Sequence, residues 1–315
     1  MSNSYDNTWR QILPYLPFDI RELLDKCSEQ HMERLEELRL QPETPVLCRF
    51  ADGEAALCTD GSFSTVDAAN VRLVSRADMR KIVLLLADSS LYALEEELRR
   101  GYITLPGGHR AGICGRAVLE HGHVRTLKDI SSVNIRLARS IQGNGGQLLP
   151  QLVDDMGNIW PTLIVSPPRA GKTTLLRDLA RIISDGENVS PQRVAIADER
   201  SELAAMRNGV PQLPVGLRTD VMDGCPKAEA MMMLLRSMSP QVLVTDEIGR
   251  MEDAQAVAEA AHCGVSVIAS AHGSSESELR LRPALEKLLD QRAFKRIVML
   301  SRRQGPGTIE RVYAL

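Results

Sequence analysis

The sequence predicts an α/β protein in two parts. A mostly parallel sheet with covering helices is expected over 148–315, after a smaller α+β N-terminal domain over 1–142. Three observations carry the prediction. Apolar runs of buried-strand length alternate with helical patterns throughout the second half, the signature of a parallel sheet. One of them, Leu163-Ile164-Val165, stops at a turn and passes into a helical pattern at Lys172. Between the halves, Gly143-Asn144-Gly145-Gly146 breaks all periodicity and marks a linker at 143–147.

A chain of 315 residues is long enough for two domains with sizeable cores. A net charge of −3 gives no basic field for nucleic acid or anionic membrane, and 3% aromatics leave few platforms for stacking bases. Nucleic acid is therefore not the expected partner. Cys27, Cys48, Cys58, Cys114, Cys225 and Cys263 show no C-x-x-C or metal spacing and read as buried thiols of a reducing compartment. The start, M-S-N-S-Y-D-N-T-W, lacks signal architecture, and the longest aliphatic run, Ile82 to Ala87, is too short to span a bilayer. The expected location is cytoplasmic.

In chain order, Ile12, Leu13, Leu16, Leu23 and Leu24 form apolar stripes up to about Glu37, a helical region broken by Pro14 and Pro17. From Leu38 to Leu57 the period shortens, giving a small sheet with a hairpin at Asp52-Gly53. Ser75 and Asp78 form a capping pair that opens a helix through Ala87. A second amphipathic segment, Leu91 to Arg100, stops at Gly101. Glycines 107, 108, 112, 115 and 122 then punctuate short β-type runs, read as a twisted hairpin or meander, followed by a strand at Val133 to Ala138. His109, Arg110 and Arg116 sit at or near its turns. They suit either a solvated rim or a surface that meets an anion.

In the second half, Leu175, Leu176, Leu179, Ile182 and Ile183 share one helical face after Lys172. Strands follow at Arg193 to Ala197, Val242 to Thr245 and Val265 to Ala269. Helices are expected at Lys227 to Met238, with Ala228, Met231, Met232, Leu235 and Met238 as core filling, and around Asp253 to Cys263. The segments Arg296 to Leu300 and Ile309 to Tyr313 close a hairpin around Gly305-Pro306-Gly307.

Four strands thus end in S-P-P-R-A-G-K-T-T, D-E-R-S-E, D-E-I-G and S-A-H-G. In a parallel sheet these ends share one edge, where ligands bind. Gly171-Lys172-Thr173 completes the phosphate-binding signature G-x-x-x-x-G-K-[ST]. Ser166, Pro167, Pro168, Arg169, Ala170 and Gly171 would wrap phosphate with successive N–H groups, and the helix entered through Lys172, Thr173 and Thr174 adds its positive dipole end. Lys172 reaches the β- and γ-phosphates, and the Thr173 hydroxyl holds Mg²⁺. Ser166 replaces the first glycine of the signature, at a cost of about 1–2 kcal/mol if that position needs φ > 0. Arg169 either adds a cation beside the phosphates or faces water. Asp246 is expected to hold Mg²⁺ through water and Glu247 to polarise the attacking water. Asp198, Glu199 and Glu202 could orient that water or the metal shell, although Arg200 also permits a plain surface ion pair. His272 could hydrogen-bond the γ-phosphate and report its loss.

Together with P-G-G-H-R-A-G-I-C-G-R-A-V and S-S-V-N-I-R-L-A-R, these motifs resemble the stage III sporulation protein AA family of endospore-forming bacteria, over roughly Glu37 to Arg303. That family is similar to the hexameric traffic ATPases of type II and type IV secretion. The resemblance implies a RecA-like ATPase domain using ATP and Mg²⁺ behind a variable N-terminal domain. It sets Asp198, Glu199 and Glu202 in an acidic box and His272 in a histidine box. It makes Arg110, Arg116, Arg136 and Arg139 candidates for an arginine-finger role, with Arg110 and Arg136 foremost. It also implies a homo-oligomeric ring, hexameric in the family's manner, in the mother-cell cytoplasm. The ring would be recruited peripherally by membrane-embedded channel proteins between mother cell and forespore. The family usually has glycine at Ser166 and commonly at Arg169. Two alternatives are a nucleotide-gated scaffold with little hydrolysis and a nucleic-acid motor.

Overall fold

The computed structural model describes residues 8–87, 97–138 and 143–315. The chain divides into two compact units, Met1–Ser140 and Ile141–Leu315.

The first unit is built on a seven-stranded antiparallel sheet in the order β4-β3-β2-β1-β7-β6-β5. The strands are β1 (Leu35–Leu40), β2 (Leu47–Phe50), β3 (Gly53–Leu57), β4 (Phe63–Ser64), β5 (Tyr102–Thr104), β6 (Arg110–Glu120) and β7 (His123–Arg136). A register shift between Leu35 and Glu37 lets Leu35, Leu38 and Leu40 all turn inward. They pack with Ile20 and Leu24 of the helix Phe18–Lys26 and with Met79 and Ile82 of the helix Arg76–Leu86. The latter opens with a full capping box, Ser75 accepting from the Asp78 N–H and Asp78 from the Ser75 N–H.

Several expectations shift here. The N-terminal helical region gives way to strand at Leu35, short of Glu37. The strand read at Val133 to Ala138 is the end of the long β7, which pairs with β6 along its length. Of the helix expected at Leu91 to Arg100, 97–100 are helical and 91–96 lie outside the described residues.

The second unit carries a seven-stranded sheet in the order β12-β9-β13-β14-β8-β15-β16. Its strands are β8 (Thr162–Ser166), β9 (Val194–Asp198), β12 (Thr219–Asp223), β13 (Val242–Thr245), β14 (Ser266–His272), β15 (Arg296–Ser301) and β16 (Thr308–Ala314). A small two-stranded ribbon, β10 (Met206–Arg207) with β11 (Val210–Pro211), stands apart. All neighbours in the large sheet run parallel except β15 and β16. Every residue of β8, β9 and β13 is buried. Alternate residues feed two layers, with Leu163 and Val165 in one and Ile164 in the other. A strand covered on both faces is apolar along most of its length, which is why these segments read as apolar runs that meet polar residues only at their ends.

Gly145–Leu148, overlapping the stretch 143–147 read as linker, is a helical turn whose Gly145 N–H donates to Asp178 Oδ2 at 3.0 Å. The helix Lys227–Met238 buries Ala230, Met231 and Leu234, whereas Met238, assigned to the core stripe, is exposed. The cysteine reading is half right. Cys27, Cys48 and Cys58 are buried, Cys225 is half-buried, and Cys114 and Cys263 are exposed.

Candidate functional site

Strands β8, β9, β13 and β14 run parallel, so their carboxyl ends meet at one edge, around a cleft of ≈ 510 Å³. Ser166 closes β8 in extended backbone and is fully buried. The positive φ angles of the loop fall instead at Arg169 (58°) and Gly171 (87°), so the strain considered for Ser166 does not arise. A Cβ on Gly171 would lie 2.9 Å from Gly307 N. The Gly307 N–H donates to Ala170 O at 2.9 Å, and Asn144 Nδ2 donates to Gly307 O at 2.9 Å. The turn between β15 and β16 thereby braces the loop.

The Lys172 ammonium is buried and shares its three N–H groups among Ser166 O (3.1 Å), Ser166 Oγ (3.0 Å), Pro167 O (3.2 Å) and His272 Nδ1 (3.0 Å). Burial pulls its pKa down, and the Glu247 charge opposes that shift. Because His272 Nδ1 accepts from lysine, its other ring nitrogen carries the proton toward Glu247 Oε1, 3.5 Å away. Glu247 also lies 3.8 Å from an Arg200 nitrogen, and its N–H donates to Ser270 Oγ at 3.0 Å. Pro168, Arg169, Ala170, Thr173 and Thr174 line the same cleft.

Asp246 is 7% exposed. Its Oδ1 has no aligned hydrogen bond, yet lies 2.9 Å from the ammonium of Lys227. The Asp198 side chain is enclosed and accepts N–H bonds from Glu202 (2.8 Å), Leu203 (3.0 Å) and Ala204 (2.9 Å). Burial nevertheless pushes its carboxyl up to about 6. Asp198 therefore holds the turn that presents Glu199 and Glu202. Arg177, on the helix Lys172–Asp185, ties the same turn through Leu203 O (2.6 Å) and Glu202 O (3.0 Å).

The candidate arginines lie in the first unit. Arg110 and Arg136 sit opposite each other in the β6–β7 register. Arg110 stacks 3.5 Å over the Tyr102 ring, and Arg136 Nε is 3.6 Å from Glu37 Oε2. Arg116 is exposed on β6, and Arg139 lies outside the described residues. His109 does not fit the reading as an exposed cation. It is fully buried, its Nδ1 accepts from the Ala138 N–H (3.0 Å), and Nε2 faces Gln11 Oε1 (3.2 Å). Burial drops its pKa to about 4, so the ring is a neutral part of the core.

The model of the family "Sporulation stage III, protein AA" matches residues 6–315. The chain belongs to this family. It is 46% identical over 305 residues to Stage III sporulation protein AA of Bacillus subtilis (strain 168), covering 96% of this chain and 94% of that protein. A more remote relative, Protein SEEDLING PLASTID DEVELOPMENT 1 of Arabidopsis thaliana, is 28% identical over 64% of this chain and 30% of its own length. Among solved structures, the ATPase DotB of Yersinia pseudotuberculosis is similar in fold (TM-score 0.56, 16% identity, 96% of this chain and 81% of that one). So is the pilus retraction motor PilT with bound ADP (TM-score 0.54, 15% identity, 89% and 76%). This sporulation family member therefore shares the RecA-like fold of secretion and pilus ATPases, as its motifs led us to expect.

Of two cations of this family member at the edge, Lys227 is not singled out by its sequence and Arg200 enters only as a surface ion-pair partner. Lys227 reads as the first residue of an ordinary amphipathic helix, and Arg200 as a surface charge. Their only signal is that both follow parallel strands, β12 and β9, at the carboxyl edge.

Proposed function

We propose that this sporulation protein is a Mg²⁺-dependent ATPase that assembles as a homo-oligomeric ring, a hexamer. Its cycle energises assembly of, or transport through, a secretion-like membrane channel between mother cell and forespore. The reading is supported above all by one chain of contacts, from the phosphate-loop lysine through His272 to Glu247. Few reasons other than a triphosphate bring a buried ammonium, an imidazole and a partly exposed acid to the mouth of a glycine-lysine-threonine turn.

The residues fit a metal–triphosphate. The loop offers backbone N–H groups at a helix start, Thr173 lines the cleft, and Asp246 keeps a buried oxygen without an aligned hydrogen bond. When bound, Mg²⁺ would neutralise charge on the β- and γ-phosphate oxygens. Lys172 would hold those phosphates with the ammonium that here donates to Ser166, Pro167 and His272. Thr173 and Asp246 would hold the metal, Asp246 through water. Glu247 would take the proton of the attacking water, kept in place by its N–H bond to Ser270 and by the His272 ring. Glu199 and Glu202 would order the surrounding water. Arg110 and Arg136 would supply positive charge to the transition state, in the manner of an arginine finger.

No described helix is long and apolar enough to cross a membrane. In this proposal the ring works from the mother-cell cytoplasm and is recruited by membrane-embedded channel proteins. The test is steady phosphate release by the purified chain, with its mass in solution measured with and without a non-hydrolysable ATP analogue. We expect Mg²⁺-dependent release and a larger species with the analogue, both lost in Lys172→Ala. Analogue binding and ring formation without phosphate release would favour the scaffold instead.

A further inference from the structure

The helix Lys227–Met238 begins with a cation in the wrong place. Lys227 follows Pro226 at the positive end of the helix dipole, where an acid or a small polar residue is favoured. Its side chain is also buried, at 6% exposure, where a charge is costly to desolvate. Both penalties would vanish with an apolar residue, and buried ion pairs are seldom more stable than well-packed apolar ones. The lysine is explained by what it faces. Its ammonium donates to Glu247 O at 2.8 Å, lies 2.9 Å from Asp246 Oδ1, and is 4.0 Å from Glu199 Oε2. It reaches from the turn after β12, across the end of β9, to the end of β13.

We propose that Lys227 is the resident counter-cation of the acidic edge, competing with a divalent ion for Asp246 and so setting how strongly that edge takes up metal. The inference rests on the reading above in that Asp246 faces a divalent ion, but it concerns the edge itself and needs no nucleotide. Lys227 is a positioning residue. It holds the Asp246–Glu247 turn through the Glu247 carbonyl and neutralises Asp246 without being asked to touch a substrate. A single ammonium screens the repulsion between these acids but cannot match a divalent ion's several coordination positions, and it leaves Asp246 Oδ1 without an aligned hydrogen bond. That poor satisfaction is what a better-matched cation can exploit.

The test uses Mn²⁺ alone, followed by the loss of its free-ion electron paramagnetic resonance signal, with the full chain and no nucleotide. Lys227→Gln keeps an N–H donor for the Glu247 carbonyl and removes the charge. It is expected to bind Mn²⁺ at least tenfold more tightly than the wild type, and to melt at a higher temperature with Mn²⁺ than without. Adding Asp246→Asn should cancel both gains. Equal Mn²⁺ binding by the wild type and Lys227→Gln, or a gain that survives Asp246→Asn, would overturn the proposal and leave Lys227 a structural plug. If Lys227→Gln folds poorly, recovery in the Lys227→Gln/Asp246→Asn pair supports the proposal, because the unbalanced acid is then the cause. Equal damage in the pair overturns it. A wild-type chain that binds no ATP analogue would remove the ATPase reading and leave this metal comparison to stand or fall by itself.

Discussion

The two units each carry a seven-stranded sheet, and they differ in where polar groups are buried. In the antiparallel sheet of the first unit, strand ends alternate between opposite edges, and its buried ionisable groups are dispersed. His109 is locked neutral between Gln11 and Ala138, and Asp78 is absorbed in a helix cap. In the parallel sheet of the second unit, carboxyl ends accumulate on one side. Lys172, Asp198, Lys227 and Asp246 are all buried there, close to the half-buried Glu247 and His272. The same strand count thus yields a scaffold in one case and a charged edge in the other. Strand direction makes the difference, because only parallel strands bring several turns, and the helix starts that follow them, to one place.

The largest test of that contrast is Glu247→Gln. Loss of a positioned proton acceptor is expected to cut phosphate release by about 10²–10⁴-fold. Affinity for a fluorescent ATP analogue should stay near the wild-type value, and unimpaired release would take Glu247 out of the proposed role. Next comes Gly171→Ala, which puts a side chain on a φ of 87° and against Gly307. Backbone strain alone is worth about 1–2 kcal/mol, and the displaced brace adds to it. Urea unfolding followed by Trp160 fluorescence, in a Trp9→Phe background, should register the loss in the second unit.

The first unit has its own signature, in pH. The His109 pKa is about 4 in the fold against 6.5 in the unfolded chain, so the unfolded state binds more protons in between. The stability contributed by neutral His109 is present above pH 6.5 and drains away as pH falls toward 4. Between pH 7 and pH 5 the expected loss is about 2 kcal/mol. Unfolding followed by the buried Trp9, in a Trp160→Phe background, reads it, and His109→Gln should flatten the dependence. The smallest expected effect is that of Arg200→Ala. A 3.8 Å ion pair with a 65% exposed side chain is worth under about 1 kcal/mol, so phosphate release should change less than about fivefold. A collapse of turnover there would move the proposed transition-state arginine from Arg110 and Arg136 in the first unit to the second.

Much of the second unit could be read from its residues because fully buried strands leave apolar runs, as β8, β9 and β13 do. The edge strand β12 leaves no such signal, because T-D-V-M-D is half-exposed and has no apolar run. The helix Pro283–Asp290 was likewise not anticipated. Lys172 and the Asp246-Glu247 pair stand in short local patterns, so their chemistry is visible within a few residues. Lys227 has no local pattern, because its meaning comes from acids on two other strands. His109 was misread for the same reason. Whether a histidine is a surface cation or a neutral core group depends on partners such as Gln11, far away in sequence.

Gly307 holds the loop ahead of Lys172 from outside through its own peptide N–H, donated to Ala170 O. The loop and its brace lie at widely separated points of the chain, joined only once β15 has paired with β8 and β16 with β15. A ribosome could therefore expose the whole glycine-lysine-threonine motif long before it holds its final shape. Under the proposed function, the loop's grip on a nucleotide would then wait for the β15–β16 hairpin.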